Sequence, residues 1–326
     1  MSHMQSKRMP DERLAVGLGA SRAGANRTKR RPSRQRRAEA LWAAAFLAPA
    51  LAAILALRLA PAAEALVTSL YRGLPGGLRP QVFAGLGNYQ MLFANQAYWE
   101  TIGRTIVFNL VINPLQIAVA LLLAVVMTRK IPARSIWRVL VFIPATIPIV
   151  GSSIAWGIAL QPQGPVNAIL AALGGSTQPF FTSPQQSMAS IILVASWIGI
   201  GYWMIFLISG IDAIPEELFE AAKLDKAGPI RTFFHVTIPM LKRPLLFVLV
   251  ADTVANFVLF VPIQVLTGGG PESSTTMQMF NAYRTTFGHS AKNMGAAEVV
   301  ILCLIMLAFV AVQFRLLRED DPRGTK

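Results

Sequence analysis

Charge is scarce in this sequence. Only 14% of its 326 residues are Asp, Glu, Lys or Arg, where soluble domains carry roughly a quarter. Cysteine is scarcer still: Cys303 stands alone, so no intrachain disulfide framework is available, and in its apolar run it reads as a small hydrophobe. The three histidines, His3, His235 and His289, have no ligand spacing among them, which argues against a metal site. There is no G-x-x-x-x-G-K-[ST] phosphate loop, so the chain does not hold ATP in that way. No Ser/His/Asp or Cys/His set shares one side of a segment, and an intrinsic enzyme is not expected. What the chain has in quantity is apolar surface: 54% of its residues are hydrophobic, and mean hydropathy is positive. That balance belongs to membrane proteins.

Six apolar runs are long enough to cross a bilayer, at 41–63, 105–128, 139–160, 188–211, 245–267 and 296–315; a crossing takes about 20 helical residues. The expected fold class is therefore all-α and integral to the membrane, with six transmembrane helices over 41–316. A basic tail precedes them at 1–40 and a short tail, 317–326, follows. The opening MSHM reads as an expression remnant and is set aside. Residues 1–37 hold eleven Lys/Arg against Asp11 and Glu12. This run lacks aromatic interleaving and a folded module beside it, so no nucleic-acid partner is expected. A solvated tail facing anionic lipid is the better reading. If that tail is cytoplasmic, 24 of the 30 Lys/Arg fall on inside segments and 5 on outside ones, with Arg58 within the first span. Both termini then lie in the cytoplasm. The outside segments are rich in Gly, Pro and Ser, as in "GLPGGLRPQ" and "GGSTQPFFTSPQQ".

The longest inside loop, 212–244, carries a polar insert. "IDAIPEELFEAAKLDKAG" reads as a helix with Pro215 at its first position, Glu216 and Glu217 at the positive end of its dipole, and Gly228-Pro229 as its stop. Leu218, Ala221, Ala222 and Asp225 recur at three- and four-residue spacings, so they are expected on one face, with Glu220 beside it. A second short helix fits "IRTFFHVT" before Pro239. Such a helix, with two alanines where a neighbour can approach closely, suits a knob set into a protein groove.

"EAAKLDKAG…VTIP", Glu220 to Pro239, resembles the EAA loop of permease subunits from bacterial ATP-binding-cassette importers, whose pattern is EAA, three residues, Gly, nine residues, then I-x-L-P. Glu220, Ala221, Ala222 and the closing Val236-Thr237-Ile238-Pro239 match in register. The pattern's glycine falls on Lys226, with Gly228 two residues later, so a shifted turn is expected. "FAGLGNYQMLF", "GPVNAIL" and "LTGGGPESST" are similar to the carbohydrate-type importers, and most to the maltose- or glycerol-phosphate-type first permease. The resemblance covers about 40–316. It implies a permease subunit of an inner-membrane importer for a sugar or a sugar-like polyol or glycerol phosphate, paired with a second permease and two ATP-binding subunits. A periplasmic or lipid-anchored solute-binding protein would deliver cargo. ATP and Mg would be bound by the partner subunits, and this chain would need no cofactor. The coupling contact would involve Leu218, Glu220, Ala221, Ala222, Asp225, Gly228 and Pro239, with Glu220 meeting a basic residue.

Polar residues inside the spans are costly and are therefore functional candidates. Asn109, Asn113 and Gln116 share one face of the second span. Asp252 and Asn256 are four apart in the fifth, with Thr253 beside them and Gln264 further along the same arc. Amides and carboxylates suit sugar hydroxyls, and rings such as Trp156, Trp197, Tyr202, Trp203 and Phe257 offer faces for stacking. They serve equally as hydrogen-bonding glue between helices; for the fifth-span arc, the resemblance implies a cavity lining. Glu298 is expected at the outer interface. The competing reading, a carrier or channel working without ATP, calls for more buried ionisable groups and inverted repeats than are visible.

Overall fold

The computed structural model describes residues 34–73, 81–129 and 131–317, and these are mostly helical. The expected tails lie outside the described residues at 1–33 and 318–326, and helix α1 (Arg34–Ile54) already begins within the segment expected as tail. The chain divides into two compact units, 1–58 and 59–326. In the first, α1 exposes Leu41, Trp42, Phe46 and Leu51, the surface of a helix solvated by hydrocarbon.

The second unit opens with α2 (Ala60–Ser69), a two-stranded antiparallel ribbon of β1 (Tyr71–Arg72) and β2 (Val82–Phe83), and α3 (Gly87–Phe93). There follow α4 (Gln96–Thr128), α5 (Arg134–Thr146), α6 (Ile149–Ala159), α7 (Pro165–Ala172) and α8 (Ser187–Asp212). A loop of short helices comes next, α9 (Glu216–Leu224), α10 (Pro229–Thr232) and α11 (Ile238–Met240). The chain then closes with α12 (Lys242–Phe257), α13 (Val261–Leu266), α14 (Gln278–Tyr283) and α15 (Lys292–Leu317).

Among the described residues, five stretches are long and apolar enough to span alone: Leu41–Ser69, Gln96–Thr128, Ser187–Asp212, Lys242–Leu266 and Lys292–Leu316. The expected third span is instead a bent pair, α5 and α6 meeting at 97°, and it makes a sixth crossing only when counted as one broken span. Proline explains the bend. Pro148 has no N–H to donate and excludes the helical conformation from the residue before it; Ile147 accordingly sits at φ −82°, ψ 133°. The fifth span breaks as well, between Phe257 and Val261, with Pro262 in the first turn of α13.

Lipid tails are as apolar as Leu, so these helices associate by close packing rather than by the hydrophobic effect. Ala120, Ala124, Met204, Leu207, Leu241 and Val248 form one buried cluster of α4, α8 and α12, on the side of the short-helix loop. Phe108, Ile112, Ile191, Ile263 and Phe280 form a second, towards the other end. The helix α5 crosses α8 at Gly201, where a Cβ would stand 2.1 Å from the Val141 carbonyl oxygen. Only glycine permits that approach.

Candidate functional site

Two places gather the residues singled out by the sequence. The first is the loop after α8. Pro215, at φ −55° and ψ 132°, is the cap and not the first helical residue; α9 starts at Glu216. Glu216 and Glu217 occupy the first turn and Lys223 the last, each complementing the helix dipole. Ala222 is buried and Phe219 half-buried, whereas Leu218, Glu220, Ala221 and Asp225 are exposed. The expected common face is therefore split. Phe219 packs into the cluster containing Ile214, and this pulls the neighbouring Ala222 inward.

The end of α9 also differs from expectation. The Ala227 amide donates to the Ala222 carbonyl at 2.9 Å and the Lys226 amide to the Lys223 carbonyl at 3.0 Å, with Lys226 at φ 53°. These two bonds form the Schellman closure, which needs a left-handed residue where Lys226 stands. The turn is thus in register at Lys226 and is not shifted to Gly228. Gly228, exposed at φ −68°, caps α10 ahead of Pro229. The expected second helix is a run of α10, a wider π turn over Phe233–Thr237, and α11. Pro239, half-buried, has no amide to donate, and the helix widens just before it: Ile238 N–H reaches back to the Phe233 carbonyl.

The second place is a polar network inside the bundle. Asn109, Asn113 and Gln116 on α4, and Asp252, Thr253 and Asn256 on α12, are each at most 5% exposed. Asn256 Nδ2 faces three acceptors: Asn113 Oδ1 at 2.8 Å, Gln116 Oε1 at 3.0 Å and Asp252 Oδ1 at 3.1 Å. Asn113 Nδ2 donates to Thr253 Oγ1 at 3.0 Å, which also accepts from Gln313 Nε2 of α15 at 2.7 Å. Trp203 of α8 donates its indole N–H to Asp252 Oδ1 at 2.7 Å. Asn109 turns back to the Thr105 carbonyl at 2.9 Å. Four helices thus converge on one cluster whose side chains spend their hydrogen bonds on each other. Asp252 Oδ2 and Gln313 Oε1 lack a protein partner among the described residues. Gln264 stands apart and exposed, because the break after Phe257 takes α13 off the arc of α12. Of the rings, Phe257 and Trp203 are buried, while Trp197 and Tyr202 are 36% and 44% exposed.

Residues 116–319 match a family of transport proteins described as "Binding-protein-dependent transport system inner membrane component". The chain belongs to that family. This permease is 32% identical over 257 residues to the sn-glycerol-3-phosphate transport system permease protein UgpA of Yersinia pestis, covering 78% of this chain and 86% of the relative. It is 30% identical over 284 residues to the sulfoquinovosyl glycerol transport system permease protein SmoG of Agrobacterium fabrum, covering 86% and 92%. With the lactose transport system permease protein LacF of Rhizobium radiobacter it shares 32% identity over 280 residues, covering 84% and 93%. Its fold superposes on a bacterial ABC transporter involved in import of the acidic polysaccharide alginate, with a TM-score of 0.72 at 19% identity over 88% of this chain and 97% of that one. A second alginate transporter structure, in complex with its pentasaccharide-bound periplasmic protein, gives a TM-score of 0.75 at 20% identity over 87% and 95%. The permease is thus a multi-pass subunit of the inner membrane.

Parts of the permease's polar interior were not singled out by the sequence. Gln313 reaches Thr253 from 60 residues away, and no local spacing announces such a pairing. Glu298, expected at the interface, is 2% exposed, with Oε1 accepting from Thr285 Oγ1 and Oε2 from Asn281 Nδ2, both at 2.9 Å. Its burial follows from α14 and the turn after it folding against α15, where Gln278 bonds the Tyr98 hydroxyl and the Glu298 carbonyl.

Proposed function

We propose that this permease forms half of the translocation pathway of an ATP-driven importer for a sugar or sugar-like polyol, with a second permease forming the other half. The observation that carries the coupling role is α9: a short helix set outside the spans, with Glu220, Ala221 and Asp225 turned outward and only Phe219 and Ala222 turned in. It suits a groove on an ATP-binding subunit, one such subunit serving each permease. ATP and Mg are bound there, hydrolysis happens there, and a solute-binding protein meets the opposite face. The side carrying α9 is cytoplasmic, as are both termini, in keeping with the 24 Lys/Arg on that side.

The network supplies the contacts for cargo. Amide and carboxylate groups that hold one another when α4, α8 and α12 are together can exchange those bonds, one for one, for the hydroxyls of a polyol when the helices part. Tyr202 and Trp197 add exposed ring faces on α8. The relatives' named cargoes, a glycerol phosphate, a glycosyl glycerol and a disaccharide, share that polyhydroxylated chemistry.

The test is Glu220→Arg in the assembled transporter. The ATP-binding subunits should dissociate, or their ATPase should stop responding to cargo, while thermal unfolding of the permease is unchanged. Full uptake with normal ATPase stimulation would refute the coupling role.

A further inference from the structure

Among the cavities that the proposed function leaves unused, one lies behind the α9–α11 loop. It measures about 650 Å³ and lies between the ends of α4 and α8 and the inner side of the α9–α11 loop. The spans Gln96–Thr128 and Ser187–Asp212 stop at this level. On the orientation proposed above, on which this inference rests, that is the cytoplasmic headgroup layer. One wall is apolar, with Val125, Ile214, Phe219 and Phe233. The others carry Arg129, Lys223, Asp212 and Glu216, all exposed. None of these four makes an ion pair or a side-chain hydrogen bond among the described residues.

Two unpaired cations and two unpaired carboxylates around a greasy hollow at headgroup depth select a ligand that is itself zwitterionic and has an apolar tail. A purely anionic head would face both carboxylates, and a purely cationic one both cations. We propose that the cavity holds a phospholipid of the phosphatidylethanolamine type. Its phosphate meets Arg129 and Lys223, its primary ammonium meets Asp212 and Glu216, and an acyl chain runs along Phe219 and Phe233. The ammonium decides between lipids. An –NH3+ group donates three hydrogen bonds at short range, whereas the trimethylated head of phosphatidylcholine has the same charge and donates none. A lipid seated there fills the space behind α9 and replaces missing packing with contact, so a push on the helix reaches α4 and α8 instead of collapsing a void.

The experiment uses the purified, intact transporter, delipidated in detergent and titrated with phosphatidylethanolamine, phosphatidylcholine or phosphatidylglycerol, with bound lipid counted by native mass spectrometry. Phosphatidylethanolamine should bind about fivefold or more tighter than phosphatidylcholine. Lys223→Gln and Arg129→Gln, each tested alone, should weaken both lipids about fivefold. Asp212→Asn combined with Glu216→Gln should erase the preference, weakening phosphatidylethanolamine more than phosphatidylcholine, because only the former loses hydrogen bonds as well as charge attraction. Equal binding of the two zwitterionic lipids, or a preference surviving the double substitution, would overturn the proposal. Tightest binding of phosphatidylglycerol would assign the cavity to anionic lipid instead. Thr232→Cys, at the cavity wall, gives an independent reading: protection from maleimide by the ATP-binding subunits in lipid-free complex would hand the cavity to that partner. Uptake enters none of these readings, so a failed Glu220→Arg test would sink the coupling role and leave the lipid result standing.

Discussion

Replacing Lys226 by glycine should strengthen the end of α9, although it removes a side chain and adds backbone freedom. Lys226 sits at φ 53°, and its amide and that of Ala227 close the helix onto Lys223 and Ala222. A left-handed conformation costs a residue with a Cβ about 1–2 kcal/mol. Glycine escapes that cost but loses about 0.4–1 kcal/mol through its freer unfolded chain. The difference favours glycine by roughly 0.5–1 kcal/mol, which in local opening is about a two- to fivefold change. Hydrogen exchange at the Ala227 amide reads it directly, because that N–H is released only when the turn opens. The expected result is slower exchange in Lys226→Gly by about that factor, and no gain in Lys226→Ala, which keeps the Cβ. Faster exchange in the glycine variant, or equal slowing in the alanine variant, would refute the assignment of the closure to Lys226.

Two further substitutions probe the interior. Asn256→Leu removes the donor shared by Asn113 and Gln116 of α4 and by Asp252 of its own helix, and at about 0.6 kcal/mol per interhelical bond in a bilayer the two bonds to α4 should cost roughly 1 kcal/mol of stability. If the network also reads cargo, uptake at a temperature where the variant is fully folded should fall by far more than that implies; normal uptake there would leave Asn256 as glue. Gly201→Ala places a Cβ 2.1 Å from the Val141 carbonyl oxygen, so α5 must move off α8 at a cost of about 1–3 kcal/mol. Thermal unfolding in nanodiscs would show this, and an unshifted midpoint would contradict the close crossing.

The spans were legible because a bilayer imposes one requirement, length of apolar sequence, and each run met it. What was illegible is where a run bends. Pro144 and Pro148 both lie in the apolar stretch 139–160, and either is compatible with a kinked but continuous helix. The extended Ile147 that produces the 97° turn is a backbone outcome. The loop shows the same division. The acids, the alanines and the proline announce α9, but the sequence points to a glycine as its closing residue, because a lysine in left-handed conformation carries no local signal. In the network, three- and four-residue spacings correctly put Asn113 with Gln116 and Asp252 with Asn256. That the two pairs face each other, and that Trp203 and Gln313 join them, depends on how four helices cross.

Continuity of two helices ties the loop to the network. Trp203 lies nine residues before the end of α8 at Asp212, and Asp252 lies ten residues after the start of α12 at Lys242. At 1.5 Å per residue each is about 15 Å from the loop that joins those helix ends. The bond between Trp203 and Asp252, 2.7 Å long, therefore bridges the two rods at nearly equal height above that loop. A grip on α9 that spreads α8 from α12 must break this bond before it can open anything beyond it, and doing so exposes an Asp252 carboxylate that already has one oxygen without a protein partner. Such a state is costly in a dry bundle unless something polar arrives to replace the indole. On the proposed function, cargo hydroxyls fill that role, so the motion driven from the loop and the arrival of substrate each make the other less costly. That reciprocity is what coupling requires, and it needs no contact between the ATP-binding subunit and the substrate.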